Sequence, residues 1–435
     1  MSTHGARVSR TAVASSEAPP QTLMRGDHLA RALTQVALAR RPSIASPASA
    51  LSIASRVGVA RISPPRRVRA NASAVRVGMS DDVATNGAAS ARVVTYNVLS
   101  SHLAEPTYFT HCDPDDLRAE TRLKRVMEKL DAETARRAVI GLQEVSMTWA
   151  GPLHTYFAER GYAFIVSLYG KPFNNYMGVG LAVPTDAYDV VKSDIARLSD
   201  TVKFPKAPNK DVDLGPLTPV YRLLVQKPVN LWRKIRDYRP PSDEWQTARG
   251  RFNSILYATL KCKKTNVSFG VSTYHMPCMF RTAADRRVMV IHAGIAAQYA
   301  LNQSEGLPTV LMGDFNLKPG DAGHTLITTG DLDESHEGYP IMPAGYTGEP
   351  FNVKPAKKME SAYVRVNGEE PNFTNNAQIK DDDPFIDTLD YIFVTDDVEV
   401  TEVLDLPHRD SVKGPFPAAT EPSDHIMLAA TLRIK

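Results

Sequence analysis

The sequence predicts an α/β sandwich, two packed sheets with helices on the outside. Three observations lead there. Short apolar runs alternate with segments of helical period from residue 91 to the C-terminus. Polar residues recur where those apolar runs end. The composition is globular, with 43% hydrophobic and 23% charged residues, which excludes wholesale disorder, collagen and coiled coil. No run of about 18 apolar residues exists, so no membrane-spanning helix is expected.

The elements follow in chain order. Ala91 to Val98 reads as a strand with Asn97 at its end. Leu123, Val126, Met127 and Leu130 recur at i, i+3, i+4 and i+7, the apolar stripe of a helix. Val139 to Leu142 is a short buried strand that ends on Gln143 and Glu144. A helix over about 149–160 precedes a strand near 162–168. Asn253 to Leu260 and Val267 to His275 form neighbouring strands, with Lys261–Lys264 as their turn. A second amphipathic helix covers Arg281 to Leu301 through Val288, Ile291 and Ile295. Thr309 to Met312 is a buried strand stopping at Gly313 and Asp314. Strands at 389–394, 398–406 and 426–433 close the chain. Residues 185–250 and 330–385 are polar, Pro- and Gly-bearing and weakly periodic. They read as long functional rims or lids.

The first ninety residues are a different material. They hold 12 Arg, no Lys and four acids, in a Ser- and Ala-rich background. That composition is that of an organelle transit peptide. His28 to Arg41 has helical apolar spacing within it, and Val68-Arg69-Ala70 resembles a chloroplast processing site. The expectation is a disordered transit peptide and linker over 1–90 and one catalytic domain over 91–435. Chloroplast import ranks ahead of mitochondrial, and a start at Met79 would leave the product cytosolic. The net charge of +3 divides accordingly. Residues 91–435 carry 39 basic and 44 acidic residues, a net of −5. The positive sign belongs to the leader and not to a binding surface. Three cysteines (Cys112, Cys262, Cys278) cannot make a disulfide framework and suit a reducing compartment.

The chemistry lies at the strand ends. Asn97, Glu144, His275, Asp314 with Asn316, and Asp390 each follow or interrupt an apolar run, and Asp424-His425 precede the last one. One such acid alone is usually a turn residue. Strand ends on one edge of a sheet can bring several together. Asp390 lies inside Leu389-Asp390-Tyr391-Ile392-Phe393, where a buried acid needs a partner. His425 is the natural one.

The ordered set Thr95-Tyr96-Asn97, Leu142-Gln143-Glu144, Tyr274-His275, Gly313-Asp314-Phe315-Asn316, Leu389-Asp390-Tyr391 and Ser423-Asp424-His425 resembles the endonuclease/exonuclease/phosphatase superfamily. Ser361-Ala362-Tyr363, then Pro371-Asn372-Phe373-Thr374-Asn375 and Phe385, is similar to the order in its poly(A)-deadenylase and nocturnin branch. His275-Met276-Pro277-Cys278 departs from the usual deadenylase wording, and 185–250 has no counterpart. No leucine-rich repeat precedes the core, so docking to a scaffold of the usual deadenylase kind is not indicated. The resemblance implies a four-layer α/β/β/α sandwich of two packed mixed sheets and Mg²⁺-dependent phosphoester hydrolysis, with Mn²⁺ as an alternative ion.

Roles follow from that resemblance and from phosphoryl-transfer chemistry. Glu144 is expected as the main metal ligand, with Asn97 and Asp424 assisting. Asp314 would orient or deprotonate the attacking water. Asn316 and His275 would hold phosphate oxygens. His425, its tautomer fixed by Asp390, would hydrogen-bond the scissile phosphate or assist proton transfer. Phe385 and Phe280 are candidate base-stacking residues, and Arg249 and Arg251 could reach a phosphate. His275 with Cys278 lacks the second ligand pair that a zinc site needs. The leading expectation is a 3′-5′ exoribonuclease on single-stranded RNA. A phosphatase on a dinucleotide such as NADP(H) is the near rival. A duplex DNA endonuclease, a lipid phosphoesterase and an inactive binding module rank below.

Overall fold

A computed structural model describes residues 87–206, 215–228 and 243–435. The expected leader helix at 28–41 lies outside the described residues. Two six-stranded mixed sheets form the centre. The first has the order β13-β14-β1-β2-β4-β3 and the second β5-β6-β7-β8-β12-β9, with a small β10-β11 hairpin beside them.

The first sheet is built on β1 (Ala89–Asn97), β2 (Val139–Val145), β3 (Tyr162–Leu168), β4 (Gly178–Pro184), β13 (Val398–Val403) and β14 (Leu428–Ile434). The second contains β5 (Tyr188–Arg197), β6 (Ser254–Cys262), β7 (Ser268–His275), β8 (Thr309–Asp314), β9 (Glu360–Ser361) and β12 (Asp390–Val394). The hairpin is β10 (Asn375–Ala377) with β11 (Phe385–Asp387). Helices α1 (Ala119–Ala135) and α2 (Met147–Glu159) cover the first sheet. Helices α3 (Glu244–Arg249), α4 (Ala283–Ser304) and α5 (Ala322–Thr329) cover the second, and α6 (Ala362–Asn367) follows β9.

Period-two alternation assigns each strand face to a layer. Along β1, Ala91 and Val93 point between the sheets, while Val94 and Tyr96 pack under the helices of the first sheet. The inter-sheet layer continues through Leu181, Leu256, Val271, Met312, Ile392 and Leu432. A third apolar layer sits between the second sheet and α4 through Val288, Ile291, Ile295 and Phe393. Three apolar layers need four layers of structure, so the expected α/β/β/α sandwich is present. The sheets press close enough at β2 that a Cβ on Gly141 would lie 2.8 Å from Met312 Cε. Gln143 crosses that gap and donates to Thr273 Oγ1 at 2.9 Å.

The helix expected over Arg281 to Leu301 is α4, started by a capping box in which Thr282 and Asp285 satisfy each other's amides. The structure departs from the expected loop at 185–250. It places β5 at Tyr188–Arg197, along the outer edge of the second sheet. Lys192, Asp194 and Ala196 are its half-buried residues, while Val191 and Ile195 are exposed, so no apolar-inward alternation marked it. Strand β4 and helix α5 were also not anticipated. The 330–385 stretch is largely irregular, as expected, apart from β9, α6 and β10.

Candidate active site

Strand register assembles the site. β7 and β8 run parallel with His275 opposite Asp314. β8 and β12 run antiparallel with Asp314 opposite Asp390. One rung of the second sheet therefore carries His275, Asp314 and Asp390 side by side. In the first sheet β1 and β2 are parallel with Asn97 opposite Gln143, and Thr95 pairs with Leu428 of β14. That register brings Glu144 and the Asp424-His425 turn to the same end.

The side chains close across the two sheets. Asn97 Nδ2 donates to Asp314 Oδ2 at 2.9 Å and to Glu144 Oε1 at 3.3 Å. His275 Nε2 lies 3.5 Å from Asp314 Oδ2 and 3.9 Å from Glu144 Oε1. His425 Nδ1 donates to Asp390 Oδ2 at 2.7 Å, and its Nε2 is 3.7 Å from Asp314 Oδ2. A carboxylate at Nδ1 fixes the tautomer and turns Nε2 toward Asp314. Six of the expected residues, Asn97, Glu144, His275, Asp314, Asp390 and His425, thus form one connected group. Asn316 stands at its margin. Its backbone amide donates to Asp314 Oδ1, and its side chain donates to Met276 O.

The backbone is bent to present these groups. Glu144 occupies the left-handed region (φ +59°), in a bulge between Gln143 and Val145. A glutamate there costs of order 1 kcal/mol or more, and such bulges re-aim side chains. Its Oε2 accepts the amide of Ser100 at 3.0 Å. Ser423 Oγ donates to the Asn97 carbonyl at 2.7 Å and so ties the last turn to β1.

Electrostatics follow from burial. Burial pushes Asp314 up to about 6, while His425 and His275 pull it down. Burial alone would lower His425, but the carboxylates of Asp390 and Asp314 outweigh it and hold the imidazole well above its usual range. Asp424 is raised by burial and by the charge of Glu144, against the pull of His425.

The remaining expected residues are more scattered. Phe385 is half-buried on β11 with Lys318 Nζ 5.1 Å from its ring centre. Phe280 is partly buried against the apolar layer of the second sheet. Arg251 is half-buried with its Nε unpartnered among the described residues.

Three residues gain supporting roles from the structure, two of them, Thr374 and Asn375, from the Pro371–Asn375 motif that the sequence singled out without assigning them a role. Thr374 Oγ1 donates to Asp390 Oδ2 at 2.6 Å and accepts the amides of Leu389 and Asp390. Asn375 bridges His425 through the backbone. Arg122 is fully buried on α1, stacks 5.0 Å from Trp149, and donates to the carbonyls of Val98, Leu99 and Pro422. It ties the exit of β1 to the turn that carries Asp424. Its signal was present, because Arg122, Val126 and Leu130 lie on one helix face.

The donor set suits a hard divalent cation. Glu144, Asn97 and Asp424 offer oxygens, and a cation would relieve the burial and mutual charge that raise Asp424. Asp314, Asp390 and His425 also bring ligand atoms within 4.8 Å of one another. There Asp390 Oδ2 and His425 Nδ1 are committed to each other, while Glu144 Oε2 accepts the Ser100 amide and Asn97 Oδ1 the Leu99 amide. Glu144, Asn97 and Asp424 are the candidate cation ligands. Asp390 Oδ1 and His275 Nδ1 are buried without a protein partner among the described residues, which leaves polar capacity for water or substrate.

A two-sheet α/β sandwich with a carboxylate, amide and histidine cluster at its strand ends defines a phosphoester hydrolase. The chain belongs to the Endonuclease/Exonuclease/phosphatase family, whose model matches residues 94–425. Enzymes of this family generally depend on a divalent metal, and the buried acid and histidine cluster agrees with that. The chain is 24% identical over 405 residues to carbon catabolite repressor protein 4 homolog 2 of Arabidopsis thaliana, covering 85% of this chain and 62% of that relative. It is 34% identical over 160 residues to the CCR4-Not complex 3′-5′-exoribonuclease subunit Ccr4 of Emericella nidulans, covering 36% of this chain and 22% of that one. The chain thus spans less than two thirds of these relatives. The crystal structure of ANGEL2, a 2′,3′-cyclic phosphatase, in complex with adenosine-2′,3′-vanadate is similar with a TM-score of 0.57 at 16% identity. The match covers 80% of this chain and 96% of that one, a likeness of fold.

Proposed function

We propose that the chain is a Mg²⁺-dependent 3′-5′ exoribonuclease acting on single-stranded RNA. The carrying observation is the connected Asn97–Glu144–Asp314–His425–Asp390 group with His275 beside it. The similarity to an exoribonuclease subunit supports the choice of RNA.

Glu144 would hold the ion, with Asn97 and Asp424 assisting directly or through water. When bound, Mg²⁺ would supply Lewis-acid neutralisation of a phosphoryl oxygen. Asp314, held by Asn97 and backed by the amide of Asn316, orients the attacking water and takes its proton. His425 donates from Nε2 to the scissile phosphate, and Asp390 with Thr374 fixes its ring. His275 Nε2 donates to a second oxygen. Asn316, whose backbone amide backs Asp314, would steady the water or a third oxygen.

A parallel assay of the purified full chain tests this reading. Oligo(A), mixed RNA, single-stranded DNA and NADP(H) are each incubated with Mg²⁺ or with EDTA. Mononucleotide release from RNA, lost in EDTA, is expected. Inorganic phosphate from NADP(H) with intact RNA would replace the nuclease with a dinucleotide phosphatase. We also propose that residues 1–90 deliver the enzyme to the chloroplast, on the strength of their Arg-only basic composition. A fusion of 1–90 to a fluorescent protein should enter plastids; a mitochondrial or diffuse signal would refute the address.

A further inference from the structure

Strand β5 is the outer strand of the second sheet. On one side it pairs with β6, broken only at Val191, which bulges between Val190 and Lys192. On the other side it meets no described strand. The register tells which backbone groups that open edge offers. Leu198 N donates to Asn253 O at 3.1 Å, and Arg197 is opposite Ser254. Residues of an antiparallel strand alternate between bonding their neighbour and pointing away from it. The amides and carbonyls of Arg197, Ile195 and Ser193 therefore point away from β6.

An open edge is a template for another strand, and proteins commonly blunt it with charged side chains or a bulge. Here the charged side chains are turned elsewhere. Lys192 Nζ bonds Glu305 Oε1 at 2.8 Å and Gln303 O at 3.0 Å, at the end of α4. Asp194 Oδ2 accepts the hydroxyl of Tyr299 on the same helix at 2.6 Å. What the edge shows to solvent is apolar. Among the described strands, β5 alone carries large apolar side chains that are exposed: Val190 at 37%, Val191 at 62% and Ile195 at 46%. The strand is also complementary to itself. Two copies running antiparallel about a two-fold axis at Ser193 set Lys192 against Asp194 of the second copy, once on each side of the axis. The same register lays Ile195 against the Val190–Val191 bulge of the second copy, so the bulge is filled rather than left as a barrier. Moving the axis by one residue sets Lys192 against Lys192 or Asp194 against Asp194. Opposite charges across a strand pair are favourable and like charges unfavourable, so Ser193 is the preferred centre.

We propose that β5 is the interface of a homodimer, in which the second sheets of two copies join edge to edge, antiparallel across Ser193. Because the Ser193 amide and carbonyl both face outward, the central pair exchanges two backbone hydrogen bonds. A two-fold axis uses the same patch on both copies, which a self-complementary strand satisfies and an unrelated strand would match only by chance. The arrangement asks nothing of the active site. Arg197 is opposite Ser254, and the next residue, Ile255, is opposite Tyr274, so β5 ends at the catalytic end of its own sheet. Antiparallel pairing therefore points the two catalytic ends in opposite directions.

Sedimentation velocity of the full chain, from about 1 to 100 μM, tests the interface. A dimer should form with rising concentration, and hydrogen exchange at the Ser193, Ile195 and Arg197 amides should slow with it. Ser193→Pro removes an outward N–H that bonds nothing in β6, a position where an edge strand tolerates proline. It should leave the monomer folded and weaken the dimer at least about tenfold, through the two lost backbone bonds. Ile195→Lys, already exposed in the monomer, should also dissociate the dimer. Lys192→Asp and Asp194→Lys should each be monomeric alone and form a dimer when mixed, because only the mixture sets opposite charges together. A wild type that stays monomeric at 100 μM would overturn the proposal, whether the edge is closed by its bulge or kept for a foreign strand. So would a dimer that survives both Ser193→Pro and Ile195→Lys, or folded charge variants that stay apart on mixing. Hydrolysis is not read, so a failed nuclease assay and a failed interface remain distinct results.

Discussion

Asp314 illustrates how catalysis and stability oppose each other. Its carboxylate is almost fully buried, shares hydrogen bonds with Asn97 and the Asn316 amide, and is pushed up to about 6 by that burial. Folding therefore favours its protonated form, and the charge it needs for catalysis above pH 6 costs stability. Asp314→Asn keeps the shape and removes the charge. Hydrolysis should fall by about 10³-fold or more, while the melting temperature in EDTA at pH 8 should rise. A variant that loses activity and melts lower would show a structural role instead. Glu144 makes the complementary case. A ligand at 100 times its dissociation constant stabilises a protein by about 2.7 kcal/mol. Wild type should show a Mg²⁺-dependent rise in melting temperature that Glu144→Gln largely abolishes, and an undiminished rise would move the ion elsewhere. Both residues were readable, because an acid directly after an apolar run is conspicuous. Thr374 was readable only as part of the Pro371–Asn375 motif, without a role, and only the fold brings its hydroxyl to Asp390.

Strands β7 and β8 carry the rung that holds His275 against Asp314, and a single glycine permits their approach. Gly313 has φ +152°, and a Cβ there would lie 1.9 Å from the Tyr274 carbonyl. Backbone cannot yield as a side chain would. Gly313→Ala should cost several kcal/mol and yield little soluble protein. A well-folded variant with wild-type activity would contradict this account of the strand pairing. Buried strands such as β2, β7 and β8 were legible because both their faces are apolar. Edge strand β5 was not, because its half-buried side carries Lys192 and Asp194 while Val191 and Ile195 face outward, the reverse of the usual alternation.

The molecule as a whole should weaken in mild acid through a group outside the catalytic cluster. His292 on α4 is fully buried between Tyr274 and the Ala248 carbonyl. Its Nε2 donates to that carbonyl, so Nδ1 accepts the tyrosine hydroxyl and the ring is neutral. Burial, aided by the charge of Arg251, pushes it down to about 4, although the bond to Ala248 O pulls upward. The unfolded chain takes up this proton near pH 6.5 and the folded one only near pH 4. The resulting stability is complete above about pH 6.5 and is lost as the pH falls to about 4, by roughly 3 kcal/mol. His292→Gln should melt below wild type at pH 7.5 and converge on it by pH 4.5. A gap constant across that range would exclude His292 as the source. The sandwich, its strand-end chemistry and the basic leader could be read from residue order alone, because apolar period and composition are local properties. The pairing of Asp390 with His425 could be read as well. How Asn97, Glu144, Asp314 and His275 close around that pair could not, because contacts such as Asn97 with Asp314 join residues 217 positions apart and are determined by strand register and the packing of two sheets.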